Sequence, residues 1–146
     1  MSLAEPAKKM SKSDTNVNAF ILMTDDKDAI VRKCKRAVTD SDGCVRFDRE
    51  NKPGVSNLMT IYGTFTGKSM DEITAEFEGK GYGDFKMAVG EAVADHLRPV
   101  RETYAKLIGD KAYLKECYTA SDAKALAYSS RIVRKVYRKV GFVDAL

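Results

Sequence analysis

The sequence predicts a mainly α-helical protein, a helical bundle preceded by a loop and a short strand-like segment. Three observations carry that reading. Phe85, Val89, Ala92, Val93, Leu97, Val100, Tyr104 and Leu107 recur at helical spacing over roughly six turns. Ser69, Met70, Asp71 and Glu72 form a capping box ahead of another helix. Only one short apolar run, Ala19, Phe20, Ile21, Leu22 and Met23, suggests a strand or an extended connector.

From the N-terminus, Lys9 to Asp14 is too polar and mixed for a regular element, and reads as a mobile loop. Met1, Ser2 and Leu3 are open to reading as an expression scar. After the apolar run, Thr24 to Asp26 offer N-caps for a helix from about Asp26 to Arg36, with Ala29, Ile30, Lys33, Cys34 and Ala37 at helical spacing. Lys and Arg gather at its end, where the helix dipole favours cations. Thr39 to Lys52 is polar, holds Gly43 and stops at Pro53, so it reads as a loop or small hairpin carrying Val45 and Phe47.

A second helix is expected from about Gly54 to Thr64, and a third from the capping box to near Gly79. The long helix follows from Asp84 and should kink at Pro99, which cannot donate to the helical ladder. Asp110 can cap a short helix through Tyr118, and Ser121 or Asp122 a last one running to about Val140, before Gly141. No internal repeat or low-complexity tract interrupts the chain, and no domain boundary is clear beyond residue 23.

With 146 residues the chain holds one core, and 44% hydrophobic with 32% charged residues is a globular rather than a disordered composition. A net charge of +4 is informative only where it is concentrated. Cys34, Cys44 and Cys117 are odd in number and widely spaced, which argues against a disulfide framework or a paired-cysteine metal site and for reduced thiols in the cytoplasm. No apolar run is long enough to span a bilayer, and the N-terminus lacks the apolar core of a signal peptide.

Two patterns bear on chemistry. Lys9 and Lys12, separated by Met10 and Ser11 and followed by Ser13, place two ammonium groups on a mobile segment suited to polyphosphate. Groups that arrive as charge develops on phosphoryl oxygens stabilise a transition state more than a ground state. A lysine pair alone reads as a solvated basic segment. Farther on, Arg131, Arg134, Lys135 and Arg138 follow i, i+3, i+4, i+7, with Lys139 adjacent. Val133, Val136, Tyr137 and Val140 repeat that spacing on roughly the opposite face, which reads as the core side. Such a cationic stripe suits nucleic-acid phosphates or is simply a solvated face.

Other patterns carry less. Thr66, Gly67, Lys68 and Ser69 imitate the end of a phosphate-binding loop, but Gly63 and Gly67 enclose three residues instead of four and follow a helix, so they read as a turn. Gly79, Gly81 and Gly83 lie between helical segments and read as another turn. His96, on the apolar stripe, reads as a satisfied, partly buried residue, and no metal site is expected.

The string Lys9, Met10, Ser11, Lys12, Ser13 is also the signature pentapeptide of class I aminoacyl-tRNA synthetases. Blocks follow in order: Thr39, Asp40, Ser41; Arg46, Phe47, Asp48; Lys52, Pro53, Gly54, Val55, Ser56, Asn57, Leu58; Gly79 through Lys86; and Leu97, Arg98, Pro99. Together they resemble the C-terminal half of the bacterial tryptophanyl-tRNA synthetases, over nearly the whole chain after Pro6. Thr119 and Ala120 depart from the Gly-Ala turn common in that family, which puts the geometry of that turn in question.

The resemblance implies that residues 1–23 are the signature loop and connector of a nucleotide-binding (Rossmann) half that precedes this chain. Residues 24–146 would be the helical tRNA (anticodon)-binding domain. It implies that Lys9 and Lys12 act on ATP phosphates and departing pyrophosphate, with Met10, Ser11 and Ser13 helping to form the loop. It also inclines the stripe of Arg131, Arg134, Lys135 and Arg138 toward tRNA. The intact enzyme would be a cytoplasmic homodimer that uses ATP, Mg²⁺ and L-tryptophan to charge tryptophan tRNA. This portion alone would be inactive and would hold no cofactor tightly. A non-catalytic tRNA-binding module and a helical protein-interaction domain are the alternatives.

Overall fold

A computed structural model describes residues 1–142 and contains five helices, with no strand among the described residues. The chain divides into two compact units, Met1–Glu102 and Thr103–Leu146.

In the first unit, helix α1 (Lys27–Arg36) is capped by Asp26, whose side chain accepts from the Ala29 amide at 2.7 Å. Helix α2 (Pro53–Thr66) starts with proline at its first turn, where no amide donor is missed, and ends at Gly67 with φ +75°. Helix α3 (Met70–Glu76) has the expected capping box: Ser69 and Glu72 bond each other's backbone amides. It ends three residues short of Gly79, because Phe77 leaves helical geometry and Gly79 takes φ +73°.

Helix α4 (Tyr82–Gly109) begins two residues ahead of Asp84 and runs on through Pro99. Near the proline, Arg101 Nη2 donates to the Ala94 carbonyl at 2.8 Å. The four helices share one core, in which the rings of Tyr62, Phe77 and Phe85 meet edge to face with centroids 5.0–6.4 Å apart. Two glycines permit close backbone approach. A Cβ on Gly54 would lie 2.1 Å from the Val38 carbonyl oxygen, and one on Gly90 2.8 Å from the Val31 Cα.

The apolar run Ala19–Met23 is not a strand. Ala19 and Phe20 are buried, but Leu22 and Met23 are exposed. No neighbouring strand offers a ladder; instead the Leu3 amide donates to the Ala19 carbonyl at 2.9 Å, and the Leu22 amide donates to the Asp25 carboxylate at 2.9 Å. Asp25 also accepts from Lys33 Nζ at 2.5 Å, and that ammonium lies 5.1 Å from the centroid of the Phe20 ring. Met1–Leu3 are built into the fold. Ser2 is 2% and Leu3 1% exposed, and both are tied into the core.

In the second unit, helix α5 (Lys111–Val140) follows its expected cap, Asp110, whose side chain accepts from the Tyr113 amide at 2.9 Å. The expected break between Tyr118 and Asp122 is absent. No glycine or proline lies between Lys111 and Val140, and Thr119 Oγ1 donates to the Lys115 carbonyl at 2.9 Å inside one continuous helix. No residue of α5 is buried. The face of Val133, Val136, Tyr137 and Val140 is therefore not a core side, since these residues are 38–58% exposed. Likewise the stripe of α4 is buried only through Ala94; Val100, Tyr104 and Leu107 are exposed. His96 is exposed, its ring edge-on to Phe65 at 5.0 Å between centroids.

Candidate phosphate loop and nucleic-acid face

Residues 8–19 form a loop built of short turns. Each turn is closed by a polar side chain or carbonyl accepting from an amide two or three residues on. Ser11 Oγ accepts from Ser13, the Ser11 carbonyl from Asp14, Asp14 from Asn16, Asn16 Oδ1 from Asn18 and the Asn16 carbonyl from Ala19. Such bonds satisfy the backbone locally without tying it to the body. Lys9, Ser11, Lys12 and Ser13 are exposed, whereas Met10 is half-buried and packs against the core. Lys8 pairs with Glu5 at 2.5 Å, which raises its pKa. Among the described residues no ion pair engages Lys9 or Lys12, so both ammonium groups are open to an anion.

The loop's two ends meet on one short segment: the Ser2 amide donates to the Lys8 carbonyl and the Leu3 amide to the Ala19 carbonyl, both at 2.9 Å. On its other side, Asn57 Nδ2 donates to the carbonyls of Met1 and Ser2 at 3.1 Å, and Asn57 Oδ1 accepts from the Met1 nitrogen at 2.9 Å. The Val38 amide closes the set by donating to the Leu3 carbonyl at 2.9 Å.

A second polar node orders the loop between α1 and α2. Lys52, 2% exposed, donates to Asp40 at 3.0 Å, to Asp42, to the Cys44 carbonyl at 3.1 Å and to the Tyr82 hydroxyl at 2.9 Å. Burial alone would lower the Lys52 pKa, but the bonds to Asp42, Tyr82 and Asp40 outweigh it and hold the pKa above 10.5. The bond from Lys52 is the main cause that depresses Asp42. Burial works against ionisation of Asp40, yet bonds from Tyr82, the Asp42 amide and Lys52 lower its pKa overall. Sequence reading missed both Lys52 and Asn57. A signal was present for each: a lysine at a helix N-terminus opposes the dipole, and an asparagine inside an apolar helix is a poor helix former that needs partners.

On α5, Arg131, Arg134 and Arg138 line one shallow groove with Ala127 and Ser130, while Arg131, Lys135, Arg138 and Lys139 line another. All five cations are exposed, and among the described residues none is in an ion pair. The structure thus assembles the expected basic stripe on a single helix.

Among the described residues no group of three or more His, Cys, Asp or Glu is arranged to hold a metal. No described helix is long and apolar enough to cross a membrane.

Comparison with known proteins bears on the same residues. The chain is 48% identical over 141 residues to a tryptophan–tRNA ligase of Bacillus anthracis, covering 97% of this chain and 43% of that protein. It is 59% identical over 108 residues to the tryptophan–tRNA ligase of Oceanobacillus iheyensis, covering 74% of this chain and 33% of the relative. In three dimensions it resembles the tryptophanyl-tRNA synthetase of Mycoplasma pneumoniae, with a TM-score of 0.67 and 29% identity over 99% of this chain and 45% of that one. The chain thus spans less than half the length of each of these relatives. A family model described as tRNA synthetases class I (W and Y) matches residues 1–98, the part that holds the lysine loop, its clamp and the Lys52 node, and the chain belongs to that family.

Proposed function

We propose that this chain is the C-terminal portion of a tryptophan–tRNA ligase that activates L-tryptophan with ATP and charges tryptophan tRNA in the cytoplasm. The observation that carries this reading is the intact Lys9–Ser13 pentapeptide, with Lys9 and Lys12 exposed and, among the described residues, outside any ion pair, in a chain 48% identical to such a ligase.

In the activation step Lys9 and Lys12 approach the ATP phosphates. Their charge stabilises the negative charge that builds on the departing pyrophosphate, with Lys12 the stronger contributor. Ser11, Ser13 and the backbone shape the loop, and Met10 anchors it to the core. In the complete enzyme Mg²⁺ would accompany ATP and neutralise phosphate charge. Arg131, Arg134, Lys135 and Arg138 hold tRNA phosphates, which position the RNA without reading its sequence. The complete enzyme is a homodimer, and this portion alone does not catalyse.

The test is binding of the 146-residue chain to tryptophan tRNA and to an unrelated tRNA across a salt titration. Preference for tryptophan tRNA that survives moderate salt is expected. Arg134→Ala and Lys135→Ala should each reduce the slope of log K against log salt by about one. Equal weak binding of both RNAs, with unchanged slopes in the variants, would refute the assignment of α5 to tRNA.

A further inference from the structure

The clamp at the base of the lysine loop carries a role beyond packing. The two loop ends, Lys8 and Ala19, are bonded to neighbouring residues, Ser2 and Leu3, so the position of that segment sets where the loop leaves the body. The segment is held in turn by one side chain of α2. All the strong hydrogen-bonding positions of the Asn57 amide face it: both Nδ2 protons go to the Met1 and Ser2 carbonyls, and Oδ1 takes the Met1 nitrogen.

Asn57 is 8% exposed and is followed in α2 by Leu58 and Met59, which are buried in the core. Its backbone is therefore fixed, and its amide is a rigid bracket. A buried amide inside a helix is unfavourable unless fully bonded, and here the partners lie on no other element than the loop base. Its neighbour Ser56 does the parallel job for the other loop, accepting from the Asp48 amide at 2.8 Å.

We propose that Asn57 is a positioning residue for the phosphate loop: by bracing Met1–Leu3 it fixes the hinge from which Lys9 and Lys12 swing. The proposal rests on the phosphate-loop reading given above. Within the loop the turns are local and the half-buried Met10 side chain is its contact with the core, so residues 9–18 can shift as a unit on that contact while the hinge stays in place. A loosened hinge lowers the fraction of time in which the lysines meet developing phosphate charge. That slows the chemical step and leaves the binding of tryptophan untouched.

Two measurements test it. In the chain itself, Asn57→Ala should raise amide exchange at Ser2, Leu3 and Val38 roughly tenfold or more, as expected for loss of a buried hydrogen-bonded bracket. Protection at Ile73, Phe85 and Val89 should persist. If Asn57→Ala opens the whole core, Asn57→Asp carries the same comparison, because it keeps the shape but cannot donate to the two carbonyls. Unchanged protection at Ser2 and Leu3 in a folded variant overturns the proposal.

The second measurement uses a complete ligase in which residues 1–146 replace the matching segment of the Bacillus anthracis relative. In ATP–pyrophosphate exchange, Asn57→Ala should lower kcat about tenfold with KM for tryptophan unchanged, and Lys12→Ala should lower kcat further. Loss of kcat in Lys12→Ala with none in Asn57→Ala overturns the positioning role alone. No loss in Lys12→Ala overturns the phosphate-loop reading beneath it.

Discussion

Replacing Lys52 by methionine should destabilise the first unit more than any surface charge change. The ammonium is 2% exposed and bonds Asp40, Asp42, the Cys44 carbonyl and the Tyr82 hydroxyl, so its removal takes the buried cation from both carboxylates, leaves Asp42 with Arg46 at 3.8 Å, and leaves the carbonyl without that donor. Breaking a buried pair by deleting one partner costs about 3–5 kcal/mol. The side chains of Asp40 and Asp42 remain 26% and 46% exposed and can rehydrate, which favours the lower end.

An expected loss of about 3 kcal/mol corresponds to a melting temperature lower by about 12 °C for a chain of this size. Core amides that exchange through opening of the unit, such as Met59, Ile73 and Val89, should exchange roughly 150-fold faster. Calorimetry and amide exchange check both figures. The pH dependence adds a second signature. Asp40 and Asp42 have folded pKa values below 3.8, so their contribution is present above that pH and lost as the pH falls through the folded values. Lys52 is raised above 10.5, so its contribution is complete below that pH and lost as the pH rises through the folded value. The variant should therefore show a flatter stability profile at both ends. A melting shift under about 3 °C with an unchanged acid limb would refute the reasoning.

Two further outcomes follow from burial and helix chemistry. Cys34 is fully buried, and that burial pushes its thiol pKa up to about 11, whereas Cys44 is exposed. At pH 8 iodoacetamide should label Cys44 within the native state and spare Cys34 until the core opens; peptide mass spectrometry reads the order, and equal labelling would contradict the packing of α1. Ala120→Gly should weaken the middle of α5 by about 1 kcal/mol, the helix-propensity gap between alanine and glycine. Amide exchange across residues 115–123 should rise about fivefold, and no change there would mean that the helix is not continuous at this point.

Helix positions were legible from sequence because their signals are local. Asp26, the Ser69–Glu72 box, Asp110 and Gly67 all act within a turn of the residues they cap. What was not legible depends on partners distant in sequence. Leu3 looks dispensable until Ala19 and Val38 bond its amide and carbonyl. The run Ala19–Met23 has strand composition but no neighbour to pair with. Val133, Val136 and Tyr137 have the spacing of a buried stripe, and periodicity alone does not say whether anything lies against it. The lysine loop was visible as a motif, while its bracket, Asn57, is 38 positions beyond the loop's far end at Ala19 and is recognised only by its bonds.

Helix α5 spans about 45 Å without a single buried residue, so its persistence depends on caps and intrinsic propensity rather than on the core that holds Tyr62 and Tyr82. The chain has no tryptophan, and five of its seven tyrosines, Tyr104, Tyr113, Tyr118, Tyr128 and Tyr137, lie beyond Glu102. Intrinsic fluorescence and near-ultraviolet dichroism are thus weighted toward the unit with no buried helix. A denaturation curve followed by tyrosine emission and one followed by core amide exchange would describe two different events. The optical signal of this protein is chiefly a gauge of its basic helix, and shifts in it on adding RNA would report on that helix directly.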